Sequence, residues 1–258
     1  MATAACRLLW PRTKPNFLIQ PILRTAMQPE TISPSIIDQE QFEQYAAHWL
    51  SVVSETDNPV LAKSFLTSAE ERVLHLSFPI QRIVELVSAV GVTQIKARFL
   101  LVPGPGEQAC FTLALFATDA QQERLSAYYL PDSQWNAPAP RPVLGEQVPR
   151  ELAGVWLTNW KTVPAITAAL FTTSYGPLQG YNFDIKDFVM PLFTGQPFAQ
   201  QEIRLGLGLH EYYAATPAAK GPTQTFGLVV RLHNPAQQGQ SELDEPYFDM
   251  STPCPPNI

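Results

Sequence analysis

An internal recurrence narrows the possible folds of this chain more than any other feature. Trp49-Leu50-Ser51 returns as Trp156-Leu157-Thr158, and Phe65-Leu66-Thr67 as Phe171-Thr172-Thr173. Phe78-Pro79-Ile80 returns as Phe183-Asp184-Ile185, and Ile95-Lys96-Ala97 as Ile203-Arg204-Leu205. Phe111-Thr112-Leu113-Ala114-Leu115 returns as Phe226-Gly227-Leu228-Val229-Val230. The order is kept and the spacing nearly so, as in a unit present twice with loop insertions. A first unit is expected over 35–130 and a second over 149–236. Pro131, Pro138, Pro140, Pro142 and Pro149 crowd the stretch between, so 131–148 is expected to be a semi-rigid, Pro-rich connector. Residues 1–34 are expected to be a disordered leader, and 237–258 an acidic, Pro-containing tail.

Each unit reads as helix, helix, short helix and β-hairpin, which makes the fold class α+β. Phe42, Tyr45, Ala46 and Trp49 follow Asp38 at helical spacing, with Asp38 or Ser35 as the cap. Helices are expected near 60–75 and over 80–90, the latter ending at Gly91. In the second unit they are expected over 151–161, over 164–173 with Pro164 at an early position, and near 184–193. Ile203, Leu205, Leu207 and Leu209 alternate with Arg204, Gly206, Gly208 and His210, and 226–233 alternates likewise. That period of two marks strands with one apolar face. In the first unit, Ile95, Ala97, Phe99 and Leu101 oppose Phe111, Leu113, Leu115 and Ala117. An isolated hairpin is barely stable, so the two are expected to share one four-stranded antiparallel sheet.

Composition sets outer bounds. With 45% hydrophobic and 16% charged residues the chain reads as globular. A net charge of -6 argues against a nucleic-acid partner, which calls for a basic surface. No apolar run is long enough to span a bilayer, so no membrane partner is expected. Cys6, Cys110 and Cys254 are too few and too dispersed for a disulfide framework or a zinc knuckle, which suggests ordinary thiols and a cytoplasmic location. The first 26 residues carry Arg7, Arg12, Lys14 and Arg24 and no acid. Two readings stay open: an organelle presequence, opposed by Pro11, Pro15 and Pro21, or a disordered or mistranslated leader with Met27 as the true start.

Trp156-Leu157-Thr158-Asn159-Trp160-Lys161 resembles the Trp-x-x-Asn-aromatic-basic helix of a bacterial family of hypothetical proteins. In that family a Phe-Ser/Thr element, a short helix and a strand bearing a basic residue follow, a position matched by Ile203-Arg204 and Ile95-Lys96. Pro253-Cys254-Pro255-Pro256 is similar to its Cys-Pro-Pro-x-Cys tails, although Ile258 stands where the second cysteine would be. The first unit departs from the pattern, with Ser-Val-Val after Trp49-Leu50. The resemblance implies a fold pattern over both units and no chemistry.

Catalytic motifs are missing from the sequence. His48, His75, His210 and His233 lack metal-site spacing, so no metal and no cofactor are expected. There is no Gly-x-Ser-x-Gly elbow, Ser174 has no identifiable base, and Cys110 opens a strand and is expected to be half buried. Gly104-Pro105-Gly106 reads as a hairpin loop, and Gly206-x-Gly208 lies within a strand. Glu70-Glu71 and Asp184/Asp187 read as exposed helix residues, and Glu242, Asp244, Glu245 and Asp249 as a solvated tail. What remains is the non-core side of the expected sheet, where Lys96, Arg98, Arg204, His210, Arg231 and His233 would gather. A short loop placing Tyr213 opposite Phe226 would set Gly208 against Arg231, Gly206 against His233 and His210 against Val229. A basic, Gly-floored face on an acidic protein suits an anionic ligand or an acidic protein partner. The function expected is therefore non-enzymatic binding or scaffolding, with a hydrolase acting on an anionic substrate as the alternative.

Overall fold

A computed structural model of the chain describes residues 36–104, 106, 108–135, 150–194, 201–212, 223–233, 247–248 and 252–254. The expected leader, most of the connector and most of the acidic tail lie outside the described residues.

Helix α1 (Gln39–Ser54) begins where the pattern requires. The Asp38 side chain accepts from the Gln41 N–H, and the Gln41 side chain accepts from the Asp38 N–H, a reciprocal cap that satisfies two otherwise bare donors. The rest of the N-terminal half holds strand β1 (Ile36–Ile37), α2 (Pro59–Ser64), β2 (His75–Pro79) and α3 (Ile80–Val87). Then come β3 (Gln94–Pro103), β4 (Ala109–Thr118), β5 (Tyr128–Tyr129) and β6 (Ser133–Trp135). The C-terminal half opens with α4 (Arg150–Thr162), a 3-10 turn at Ala168–Phe171, and the strands β7 (Thr172–Thr173) and β8 (Gly176–Pro177). It continues with β9 (Gly180–Asp184), α5 (Ile185–Thr194), β10 (Glu202–Tyr212), β11 (Thr223–His233), β12 (Tyr247–Phe248) and β13 (Thr252–Cys254).

The α+β character stands, but the shared four-stranded sheet does not form. The hairpin β3–β4 belongs to a six-stranded sheet ordered β1-β5-β4-β3-β9-β13. The hairpin β10–β11 belongs to a five-stranded sheet ordered β12-β11-β10-β2-β6. Each hairpin pairs instead with a short strand from the opposite half. β2 lies antiparallel to β10, with Glu202 opposite Pro79 and Gly206 opposite His75. β9 lies antiparallel to β3, with Gln94 opposite Asp184 and Arg98 opposite Gly180. These two strands were not expected. His75-Leu76-Ser77-Phe78 is too short for its period of two to stand out from the helical segments around it. The expected helix near 60–75 stops at Ser64, and the one over 164–173 shrinks to the 3-10 turn. Glu70 and Glu71 accordingly sit in a turn, where Thr67 N–H donates to Glu71 O, and not on a helix.

The inner faces of both sheets enter one apolar core. Ile95, Ala97, Phe99 and Leu101 meet Ile203, Leu205, Leu207 and Leu209 there, with Leu76, Phe78, Tyr181 and Phe183 from the exchanged strands. Its centre is aromatic: Phe226 lies 5.5 Å from Phe99, 5.0 Å from Trp160 and 4.8 Å from Phe171, ring centre to ring centre. Emptying one such position costs roughly 3–5 kcal/mol. The tryptophans are anchored reciprocally. Trp49 Nε1 donates to Leu178 O at 2.8 Å, and Trp160 Nε1 donates to Val73 O at 2.9 Å. One helix covers the outer side of each sheet. Phe42, Tyr45 and Ala46 of α1 pack on Leu100, Ala114, Phe116 and Tyr128, while Ala153, Trp156 and Leu157 of α4 pack on Val229.

Candidate functional site

Because Ile203, Leu205, Leu76, Phe78, Val230 and Leu232 point into the core, their neighbours on the same strands point to the outer side of the five-stranded sheet. Three rows result, read across β11, β10 and β2. His233, Glu202 and Pro79 form the first, Arg231, Arg204 and Ser77 the second, and Val229, Gly206 and His75 the third. Neighbouring strands stand about 4.8 Å apart, so the row of two arginines and a serine spans about 10 Å. At its two ends the same row continues in register with Tyr247 of β12 and Ser133 of β6.

The cluster is shielded from water. Relative exposure is 7% for Arg204, 2% for Arg231, 1% for His233, 3% for His75 and 1% for Ser77. Arg204 Nε donates to Glu202 Oε1 at 2.6 Å, a charge-assisted pair that neutralises one guanidinium. Burial, followed by the charges of Arg204, Arg231 and His233, holds the His75 imidazole down to about 2, so it is neutral at physiological pH. Ser77 Oγ is buried and has no hydrogen-bond partner among the described residues.

The structure brings together only part of the expected set. Arg204, Arg231 and His233 share this face. Lys96 and Arg98 lie on the outer side of the other sheet, because the two hairpins belong to different sheets. Arg98 Nη2 donates to Asn182 Oδ1 at 2.9 Å, and Nη1 to Tyr181 O at 3.3 Å. Its guanidinium stands 6.0 Å from the Phe116 ring centre. His210 is remote from the cluster: it lies four residues beyond Gly206 along β10 and pairs with Thr225, in a register four residues away from the expected one. Gly208 therefore faces Gly227, Gly206 faces Val229, and His210 faces Thr225. The slip is an even number of residues, which is why every side chain stays on its expected face.

Nor is the face open, or the glycine floor free. A β-carbon at Gly206 would lie 2.8 Å from Leu157 Cδ2, and one at Gly208 would lie 3.3 Å from Trp156 Cβ. The glycines let α4 approach the sheet closely. Gly227 makes room for the His210 ring, which stacks on Trp156 at 3.9 Å. Sequence reasoning missed His75, Ser77 and Glu202. The alternation through His75-Leu76-Ser77-Phe78 was the available signal for the first two.

Other candidates have structural roles. Asp184 Oδ1 accepts from Lys186 N–H, and Asp187 Oδ2 from Asp184 N–H, at the start of α5. Gly104 N–H donates to Gln108 O across the first hairpin turn. Cys110 is a free thiol, half-buried and raised in pKa by burial, which disfavours the reactive thiolate. Among the described residues, no three His, Cys, Asp or Glu side chains are arranged to hold a metal ion, and no helix is long and apolar enough to cross a membrane. Comparison with protein-family models, with curated proteins and with solved structures finds no match for this chain.

Proposed function

We propose that the chain is a non-enzymatic binding protein that takes an anionic group on the outer side of the five-stranded sheet. The observation that carries this reading is the placement of Arg231 directly opposite Arg204, which is in turn opposite Ser77, in a nearly dry environment. Two guanidinium groups and a hydroxyl in adjacent register positions gather hydrogen-bond donors on one side of the sheet, a donor set that suits an anionic group. Glu202 supplies one carboxylate to Arg204. The hydrolase alternative has one point in its favour, since Glu202 also stands opposite His233. Against it, that carboxylate is engaged by Arg204, and an imidazole held near 2, as in His75, takes no proton at neutral pH.

The same proposal includes a tandem origin. The two halves are read as copies of one unit that exchange a short strand, β2 for β9. In support, β2 meets β10 and β9 meets β3 in the same antiparallel arrangement, and the Trp49–Leu178 and Trp160–Val73 bonds are reciprocal. On this correspondence Trp49 matches Trp160 and not Trp156, one helical turn along. Tyr45-Ala46-Ala47-His48-Trp49 then aligns with Trp156-Leu157-Thr158-Asn159-Trp160, which reduces the departure of the first unit from the bacterial family pattern. Kinship with that family is part of the proposal.

Thermal unfolding at matched ionic strength tests the binding reading. A ligand that binds only the folded chain raises the melting temperature by mass action. Exchanging chloride for a polyvalent oxyanion is expected to raise it by several degrees in the wild type and in Arg98→Gln, but not in Arg231→Gln. An equal rise in Arg231→Gln, or none in the wild type, would contradict the assignment.

A further inference from the structure

We infer that the contact between the two halves is an assembly interface in its own right, and that the outside partner it fits is a second copy of this chain. The N-terminal half of one copy pairs with the C-terminal half of the other, and the reverse. The inference needs neither the anion site nor a common origin of the halves. It rests on which strand lies in which sheet.

Each half lends two strands to the other. β2 and β6, from the N-terminal half, form one edge of the sheet that β10, β11 and β12 complete. β9 and β13, from the C-terminal half, form one edge of the sheet that β1, β5, β4 and β3 complete. The lent strands carry buried core side chains with them, Leu76 and Phe78 in one direction and Tyr181 and Phe183 in the other. Without the lent pairs, β3 and β10 would each present a bare edge, which is a template for a strand from another chain. The Trp49–Leu178 and Trp160–Val73 bonds and the Arg72 bond to Trp160 O also cross between the halves. All of these contacts are non-covalent, so the matching half of a second copy supplies them unchanged.

The covalent link between β6 and α4, residues 136–149, decides which partner is met first. A link long enough to span the gap holds the halves at a high effective concentration, which favours pairing within one chain. The gap can be read from the five-stranded sheet. Trp135 stands opposite His75, His75 opposite Gly206, and Gly206 opposite Val229. Trp135 and Val229 are thus three strand spacings apart, about 14 Å. α4 begins on the Val229 side, where Ala153 packs, and reaches Gly206 only one turn later with Leu157. Its first residue, Arg150, therefore lies on the side away from Trp135. If only Asn136 and Pro149 joined Trp135 to Arg150, three Cα–Cα steps would reach about 11 Å at most. The halves of such a chain cannot meet each other and must pair with those of a second copy.

Deletion of 137–148 from the full chain tests this. The shortened chain is expected to sediment at about twice the mass of the wild type, with the wild-type circular dichroism spectrum. A folded monomer would overturn the inference. A shortened chain that fails to fold is judged by a second experiment on the full-length chain, with a protease site in place of 140–145. One preparation carries an N-terminal affinity tag and the other is ¹⁵N-labelled. After cutting, equimolar mixing and refolding together from urea, the tag is expected to retrieve C-terminal halves of which about half are labelled. Uncut chains treated alike at low concentration are expected to retrieve almost none. Retrieval of unlabelled C-terminal halves alone would show that the halves do not exchange partners. Fragments that separate or precipitate would show that the link, and not the interface, holds the halves together. Either result would overturn the inference.

Discussion

Arg72 joins the two halves through a helix end, and its removal has a calculable effect. Its Nη1 donates to Trp160 O at 2.7 Å and to Val163 O at 2.9 Å, and reaches Lys161 O at 3.3 Å. These carbonyls terminate α4 and have no partners further along the helix. The guanidinium also stands 5.7 Å from the Trp160 ring centre, so it holds in place the tryptophan that donates to Val73. A hydrogen bond to a charged group contributes about 1.5–3 kcal/mol, and Nη1 has two hydrogens to share among three acceptors. Arg72 is only partly buried, and water would re-solvate some of the exposed carbonyls. Arg72→Ala should therefore lose about 2–3 kcal/mol, seen as a drop of roughly 4–6 °C in the melting temperature for a chain of this size. Arg72→Lys keeps the charge without the planar fork and should recover less than half of the loss. Urea titration with matched m-values would measure it. A destabilisation below about 0.5 kcal/mol for Arg72→Ala would show that the C-terminus of α4 does not depend on this contact.

Four further outcomes follow from the same geometry. Gly227→Ala should push His210 off Trp156 and cost about 2 kcal/mol or more, visible as altered tryptophan fluorescence and a lower melting temperature. Trp49→Phe and Trp160→Phe should each lose roughly 2 kcal/mol, and by similar amounts, since each leaves one buried carbonyl unpaired; melts that differ widely would weaken the correspondence of the two halves. Asp38→Ala should lose about 1 kcal/mol through the α1 cap, measurable by chemical denaturation. His75 is neutral in the folded chain and titrates near 6.5 when unfolded, so acid favours the unfolded state. Between pH 6.5 and about 2 this residue should reduce stability by about 1.4 kcal/mol per pH unit as the pH falls, a component that His75→Gln should abolish; parallel pH–stability curves would refute the assignment.

The parts of the fold visible in the sequence were those with long, regular patterns. The ten-residue alternations of β3 and β4 and the capped apolar stripe of α1 state their own geometry. Faces were legible as well, because parity survives a register slip; this is why Arg204, Arg231 and His233 stand on the side expected of them. Register and partner were not. Turn length fixes the pairing of β10 with β11, and nothing in 213–222 encodes a turn as recognisable as a two-residue loop. The exchange of β2 and β9 was hidden for a different reason. Both strands are only five residues long and buried on two faces, so their alternation is too brief to stand out from the segments around it. His75 and Ser77 were lost with β2. The glycines of β10 were read correctly as points of close approach, but the approaching group is α4.

The most direct measurement is a phosphate titration followed through the ¹H–¹⁵N resonances of the arginine side-chain Nε–Hε groups. If the row on the five-stranded sheet holds the ion, the signals of Arg204 and Arg231 should shift together and saturate, while that of Arg98, bonded to Asn182 on the other sheet, stays fixed. Saturable shifts at Arg98 with none at Arg231, or no saturable shift at either, would contradict the account.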